Sequence, residues 1–288
     1  MPDTASLFDL SGKVALITGA SSGLGVTFAE ALADAGADLV LAARRLNRLD
    51  QVAARIEERG RLALPIACDV TDADEVEATV ERGVGEFGHI DILVANAGSV
   101  PEGFAMPEKL PTELFEESVK VNLTGTWNTC QSAGRHMLSR GSGSIIVISS
   151  YTGFAGMPFF PPAYQACAAA LFNVAKSLAV SWADRGVRVN AIAPGWFPSE
   201  MTDAVLATPA FRERIDRQAP LGRHGRPEEL IGALLLLASD ASSYMTGTTI
   251  TVDGGTSASV GFSPYSEELF GLHDAVMPEG LGARLKPA

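Results

Sequence analysis

The sequence predicts a single α/β domain built on a doubly wound parallel sheet of about seven strands, with helices on both faces. Short aliphatic runs alternate with longer amphipathic, alanine-rich segments, and this alternation implies right-handed crossovers between parallel strands. The runs are apolar throughout, as is typical of strands that are buried on both faces. Hydrophobic residues make up 47% of the 288 residues, which is enough for a large core and excludes a disordered chain.

Each element follows from this alternation in turn. The predicted strands are residues 14–18, 38–42, 62–67, 92–95, 144–149, 188–193 and 249–252. Helical patterns occupy residues 24–35, 46–59, 73–87, 111–139, 163–183 and 227–238. The pattern ends near Gly255, so we predict a domain over residues 1–255. Residues 256–288 are expected to form an irregular C-terminal extension with one helical turn around residues 266–272.

Composition excludes several classes of function. Acidic residues outnumber basic ones by 34 to 22, and a net charge of -12 disfavours nucleic-acid binding. Residues 1–10 do not resemble a secretory signal, and the apolar run at 233–238 is far shorter than the roughly 20 residues that span a bilayer. We therefore expect a cytoplasmic protein that does not bind membranes. Three separated cysteines and four scattered histidines indicate no metal site.

A glycine-rich segment links the first strand to the first helix. Residues 18–25 read TGASSGLG. Glycines there let the backbone approach a pyrophosphate, and the following helix offers free N–H groups and its positive dipole end to that anion. An ordinary glycine-rich turn is the alternative, but the strand–turn–helix context favours a dinucleotide site.

The spacing of these glycines resembles that of the classical short-chain dehydrogenase/reductase family. Further family motifs follow in order over about residues 10–255: Asn96-Ala97-Gly98, Asn122, Ser149-Ser150, Tyr164, Pro194-Gly195 and Asp253-Gly254-Gly255. The resemblance implies a Rossmann-type fold and a nicotinamide cofactor. The residues that it places against the cofactor are Gly19, Ser21, Ser22, Gly23, Leu24, Gly25, Asp69, Val70, Asn96, Ala97, Gly98, Pro194, Gly195 and Ser199.

The end of the second strand indicates which nicotinamide cofactor is bound. An acidic residue there would bind the ribose 2′-hydroxyl of NAD(H). This sequence has Arg44 and Arg45 instead, and a guanidinium can bind the 2′-phosphate of NADP(H) through a charge-assisted fork. The alternative is that both arginines merely begin a solvated helix. The missing acid favours NADP(H) over NAD(H).

The resemblance also implies the catalytic residues. Tyr164 is the acid/base, Ser150 orients the substrate oxygen and Asn122 holds a water that relays protons. The family has a lysine four residues after the tyrosine, on the same helix face, whereas this chain has Ala168. Lys176 lies about 12 Å further along a straight helix and cannot replace it. The interval from Ser150 to Tyr164 is also one residue longer than is usual in the family, which predicts an altered loop.

Ala168 bears directly on the chemistry. Without a nearby cation, a tyrosine with a pKa of about 10 is phenolate in about one molecule in a thousand at pH 7. Alcohol oxidation, which needs the phenolate, should suffer more than carbonyl reduction. Two explanations remain open: an inactivated variant of a working reductase, or a natural member that has lost redox chemistry or catalyses another reaction.

We predict an NADP(H)-dependent oxidoreductase that interconverts a carbonyl and a secondary alcohol on an apolar, moderately bulky small molecule. The alternatives are a redox-silent dinucleotide-binding protein and a non-redox catalyst that uses Tyr164. Residues expected to line the substrate pocket are Phe154, Met157, Phe159, Phe160, Trp196, Phe197 and Met201. Residues 195–210 resemble the family's substrate lid.

Assembly is predicted only by analogy. The resemblance implies a homo-tetramer or homo-dimer. The apolar helix at residues 234–237 fits a subunit interface, but a helix buried within one chain has the same pattern. The extension after Gly255 is expected either to lie on the surface or to cover a neighbouring active site.

Overall fold

The fold centres on a parallel sheet, seen in a computed structural model that describes residues 4–103, 105–157 and 160–259. The strands within these residues are β1 (Val14–Thr18), β2 (Asp38–Ala43), β3 (Ala63–Ala67), β4 (Ile92–Ala95), β5 (Gly143–Ile148), β6 (Val187–Pro194) and β7 (Thr249–Val252). They pair in parallel in the order β3-β2-β1-β4-β5-β6-β7. The predicted fold class is confirmed.

Helices cover both faces of the sheet. They are α1 (Leu24–Asp34), α2 (Leu46–Glu58), α3 (Ala73–Phe87), α4 (Thr112–Val119), α5 (Thr126–Arg140), α6 (Pro162–Trp182), α7 (Asp203–Leu206), α8 (Pro209–Gln218) and α9 (Ile231–Ala238). Helices α1, α2 and α9 pack in one apolar core, and α3, α5 and α6 pack in the other. Strand side chains alternate between the two cores, so the continuous apolar runs in the sequence correspond to burial on both sides.

The predicted elements match the structure to within one residue at most ends, with three differences. The helix predicted at 111–139 is α4 and α5, joined by the π-helical turn Lys120–Gly125. The helix predicted at 227–238 starts as the 3₁₀ turn Pro227–Leu230 before α9. Helices α7 and α8 are short and were not predicted, because their few residues bury little apolar surface.

Two apolar helices, α6 and α9, pack in the two cores of the fold. Among the described residues, Pro162–Arg185 is long and apolar enough to cross a membrane, with a mean hydropathy of 1.3. Its apolar face, including Leu171 and Ala175, packs in the core against the sheet, as in a core helix of a globular domain. In α9, Leu234 and Leu237 are fully buried in the other core. Burial within the chain therefore explains the apolar pattern that also fits a subunit interface.

Candidate active site

A crevice of about 610 Å³ opens at the carboxyl ends of the strands. This is where ligands bind in open α/β sheets. Of the residues predicted to contact the cofactor, all except Gly25 line it, and so do Asn122, Ser150, Tyr164 and Ala168. The residues predicted to contact the cofactor and the predicted catalytic residues therefore border the same cavity.

The glycine-rich loop forms one wall of the crevice. Gly19 has φ of 69°, and a Cβ there would lie 2.9 Å from Ala97 Cα and from Asn96 Nδ2. Asn96 Nδ2 donates to the carbonyl oxygens of Thr18 (3.1 Å) and Gly19 (3.4 Å), which fixes the loop to the end of β4. Gly25 lies behind the wall, where the absence of a side chain lets α1 approach the Gly19 carbonyl. The amino end of α1 thus lies beside the crevice, where an anion would be stabilised.

Arg44 and Arg45 both line the crevice beyond the end of β2, but their surroundings differ. Within the described residues, Arg44 is exposed and forms no hydrogen bond or ion pair. Arg45 Nη2 donates to Ser22 Oγ (2.8 Å) and to Glu200 Oε2 (2.9 Å). Arg44 is therefore free to bind a phosphate, whereas Arg45 is already paired.

Asp69 and Val70 border the crevice after β3. Asp69 Oδ1 accepts a hydrogen bond from the Thr71 N–H at 2.9 Å, and this bond is the main reason that the pKa of Asp69 is lowered. Val70 packs against Gly125, where a Cβ would come within 2.6 Å of Val70 Cγ2. A glycine at 125 therefore allows the π-helical turn to approach this wall.

Asn122 is placed by the π-helical turn, a local distortion that recurs at functional sites. Its Oδ1 accepts from the Ser99 N–H (3.0 Å), and its Nδ2 donates to the carbonyls of Ser99 (2.8 Å) and Ser118 (2.9 Å). The side chain thus joins the segment after β4 to α4. Its proposed contact with a water stays a prediction.

Ser150 and Tyr164 both border the crevice, where β5 ends and α6 begins. The Ser150 hydroxyl lies near enough to the Tyr164 phenol to lower the pKa of the phenol. Desolvation raises the pKa of Tyr164 and outweighs this lowering by Ser150. Cys167 and Glu102 raise this pKa further by their charge. Tyr164 is therefore a protonated phenol at neutral pH and can act as an acid.

Ala168 is buried one helical turn beyond Tyr164 and lines the same cavity. The cationic side chains that border the crevice in the described structure are Arg44 and Arg45. They follow β2, three strands from β5, which is about 14 Å across the sheet. No ammonium or guanidinium among these residues lies beside the phenol to favour its ionised form.

Glu102 was not found by sequence reasoning. It lies in the segment between β4 and α4, is only 4% exposed, and accepts a hydrogen bond from the Tyr164 N–H through Oε1 at 3.0 Å. Its Oε2 has no hydrogen-bond partner in the described part of the chain. No motif marks it, since its contact with α6 joins residues 62 positions apart.

Only some of the residues predicted to line the substrate pocket border the crevice. Phe197 and Met201 line the crevice. The structure does not bring the other described aromatic residues there: Phe154 stacks on Phe172 with ring centroids 4.6 Å apart, and Phe160 contacts Trp196 edge-on at 5.4 Å. Gln165 Oε1 holds the Met157 N–H at 2.7 Å, which keeps this loop against α6. Phe159 lies outside the described residues.

Comparisons with known proteins agree with this geometry. A family model described as enoyl-(acyl carrier protein) reductase matches residues 19–257. A gluconate 5-dehydrogenase of Gluconobacter oxydans is 38% identical over 257 residues, covering 88% of this chain and 98% of that protein.

Solved structures give the same result. A short-chain type dehydrogenase/reductase from Mycobacterium marinum is 43% identical, with a TM-score of 0.84 over 88% of this chain and 99% of that one. A gluconate 5-dehydrogenase from Burkholderia cenocepacia, solved with NADP and tartrate, is 35% identical, with a TM-score of 0.85 over 90% and 100%. The chain belongs to the short-chain dehydrogenase/reductase family of oxidoreductases.

Proposed function

We propose that this chain binds NADP(H) in the crevice and reduces a carbonyl to a secondary alcohol on an apolar, moderately bulky substrate. The observation that carries the proposal is the protonated Tyr164 phenol beside Ser150 in the cavity that also contains the glycine-rich loop. When bound, the nicotinamide supplies a hydride. The chain's own task is then to bind the carbonyl oxygen and give it a proton.

The crevice fits a dinucleotide phosphate. A side chain at Gly19 would collide with the end of β4, so the loop keeps an open cradle beside the amino end of α1. Arg44 offers an unpaired guanidinium directly after β2, at the position where an acidic residue in this fold would repel a 2′-phosphate. The bound NADP of the Burkholderia cenocepacia relative supports the same choice for this chain.

The residues favour reduction over oxidation. Ser150 would hold the substrate oxygen while Tyr164 passes it a proton. Oxidation needs Tyr164 as phenolate, and both its burial and the charge of Glu102 oppose that form. Ala168 leaves this effect uncompensated, since the family's lysine would lower the pKa of Tyr164.

The proposed substrate class rests on the apolar side chains that line the crevice. Phe197, Met201 and Leu171 line the cavity, and Ala168 adds a methyl group in place of an ammonium. This surface suits an apolar ketone better than a sugar acid, although gluconate dehydrogenases are among the relatives.

The catalytic proposal is tested by following NADPH oxidation with a panel of apolar ketones. We expect slow turnover in the unsubstituted chain that is lost in Tyr164→Phe and kept in Tyr244→Phe, because Tyr244 is fully exposed and lies away from the crevice. The alanine at position 168 also fits a redox-silent binder. That candidate predicts NADPH binding without turnover in the unsubstituted chain and in Ala168→Lys.

The cofactor proposal has a separate test. Arg44→Ala should raise the Kd of NADPH at least about tenfold, since a charge-assisted pair with a phosphate is lost, and should leave the Kd of NADH unchanged. Arg82→Ala, an exposed position on α3, is the control. Equal losses for both nucleotides would contradict the preference for NADP(H).

A further inference from the structure

Glu200 stands out because its carboxylate bridges two arginines at the edge of the crevice. Its Oε2 accepts a hydrogen bond from Arg45 Nη2 at 2.9 Å, and its Oε1 pairs with Arg48 Nη1. Both arginines belong to the start of α2, whereas Glu200 follows β6, 155 positions from Arg45 along the chain. Glu200 therefore joins the segment after β6 to Arg45, one of the two arginines that the sequence predicts for phosphate binding.

The same guanidinium also contacts the glycine-rich loop. Arg45 Nη2 donates to Ser22 Oγ at 2.8 Å and approaches Ser21 Oγ at 3.3 Å. The hydrogen bonds from Arg48 and Arg45 are the main reason that the pKa of Glu200 is lowered, and Ser22 adds to this effect. Glu200 is therefore a carboxylate at neutral pH, and it lines the cavity together with Arg45 and Ser22.

A carboxylate at this place opposes a second anion. A 2′-phosphate bound by Arg44 would lie beside Arg45, whose donor group Glu200 already occupies. Phosphate and carboxylate would compete for that guanidinium and repel each other. A ribose with a free 2′-hydroxyl adds no charge, and a carboxylate can accept its hydrogen bond, as the acid after β2 does in NAD-dependent enzymes of this fold.

We propose that Glu200 is a built-in counter-anion that sets the cofactor preference: it weakens NADP(H) binding and leaves NAD(H) binding unaffected or stronger. The Glu200 carboxylate, in the segment after β6, thus takes the role of the acidic residue that is missing at the end of β2. This inference rests on the proposed NADP(H) site. It adds a specificity-determining residue that opposes Arg44.

The test is a fluorescence titration of the full chain with NADPH and with NADH. Glu200→Gln keeps the shape and a hydrogen-bond acceptor but removes the charge. We expect its Kd for NADPH to fall about three- to tenfold, a modest range because the ion pair is half-exposed, while the Kd for NADH stays the same or rises. The matched control is Asp203→Asn, an exposed carboxylate of the same segment that has no ion-pair partner among the described residues.

The outcomes separate this inference from the proposed function. If the unsubstituted chain binds NADPH but Glu200→Gln leaves the ratio of the two Kd values unchanged, or binds NADPH more weakly, Glu200 only positions the arginines and the inference is wrong. If the unsubstituted chain binds neither nucleotide, the proposed function fails and the inference fails with it. Equal melting temperatures of the variants would show that the substitutions left the fold intact.

Discussion

At the scale of the residue, Ala168 determines what Tyr164 can do. Desolvation of the half-buried phenol and the charge of Glu102 raise its pKa, and no cation lies beside it within the described structure to lower that pKa. A raised pKa keeps the proton on the oxygen at neutral pH, which suits an acid and hinders a base. In the proposed reaction, the preference for reduction over oxidation therefore depends on a single missing ammonium.

Restoring the lysine tests this account. In Ala168→Lys, an ammonium on the same helix face as Tyr164 should lower the pKa of the phenol. Alcohol oxidation by NADP⁺ should then rise at least about tenfold at pH 8, since each unit of pKa changes the phenolate fraction tenfold, and the rising, acidic limb of its pH profile should move to lower pH. Ala166→Lys, at an exposed position of α6, is the control. A pH profile that is identical in both variants would contradict the proposed role of position 168.

At the scale of the element, the active site depends on how two helices begin and bend. The first turn of α6 has unpaired N–H groups, and Glu102 supplies a carboxylate oxygen to one of them, at Tyr164. The π-helical turn between α4 and α5 directs Asn122 towards the segment after β4. Helical patterns in the sequence predict α6 and a single helix over residues 111–139, but neither the cap nor the π-helical turn has a signal in the sequence.

Removing the cap should destabilise the start of α6. Glu102→Ala leaves the Tyr164 N–H without its acceptor, which costs about 1 kcal/mol and lowers Tm by about 2–4 °C in a domain of this size. Glu102→Gln keeps an acceptor and should retain most of the Tm, while its lost charge lowers the pKa of Tyr164. Scanning calorimetry with Glu108→Ala, an exposed control, measures the difference. Equal Tm values for Glu102→Ala and Glu108→Ala would mean that the Glu102 cap does not stabilise α6.

The contribution of the Asn122 hydrogen bonds to the free energy of unfolding can also be measured. Asn122→Ala removes the partner of the Ser99 N–H and of the buried Ser118 carbonyl, which should cost about 1–3 kcal/mol. We expect chemical denaturation to show this loss, and none in Asn47→Ala on the exposed side of α2. An unchanged unfolding free energy in Asn122→Ala would mean that water replaces the side chain at no cost.

At the scale of the whole molecule, the alternation of strand and helix patterns predicts the fold, whereas most residues of the crevice are predicted by the family resemblance. Strand runs end at the same edge of a parallel sheet, so Arg44, Ser150 and the glycine-rich loop had to meet there. Glu102 and Glu200 act through contacts that span 62 and 155 positions, which no local pattern reveals. The aromatic wall was predicted too broadly, since a ring after a strand can pack either into the crevice or away from it.

Some predictions lie beyond the structure. The helical turn expected in the extension is outside the described residues. The cytoplasmic location stays a prediction. We propose from the family resemblance that the chain forms a homo-dimer or homo-tetramer, which light scattering would measure.

Cofactor binding should stabilise the whole domain. A ligand at a hundred times its Kd adds about 2.7 kcal/mol of stability, which corresponds to a rise in Tm of about 5–10 °C for a domain of this size. We expect such a rise with NADPH and none with inorganic phosphate at the same concentration, because most of the crevice surface would stay uncovered. A rise of equal size with phosphate alone would contradict binding of the entire dinucleotide.

The most direct test of the central claim is a crystal structure of the full chain with NADP⁺. We predict that the nucleotide lies across the carboxyl ends of the strands, with its 2′-phosphate on the Arg44 guanidinium and its nicotinamide ring beside the Tyr164 hydroxyl. An empty crevice, or a nicotinamide ring that lies away from Tyr164, would contradict the account.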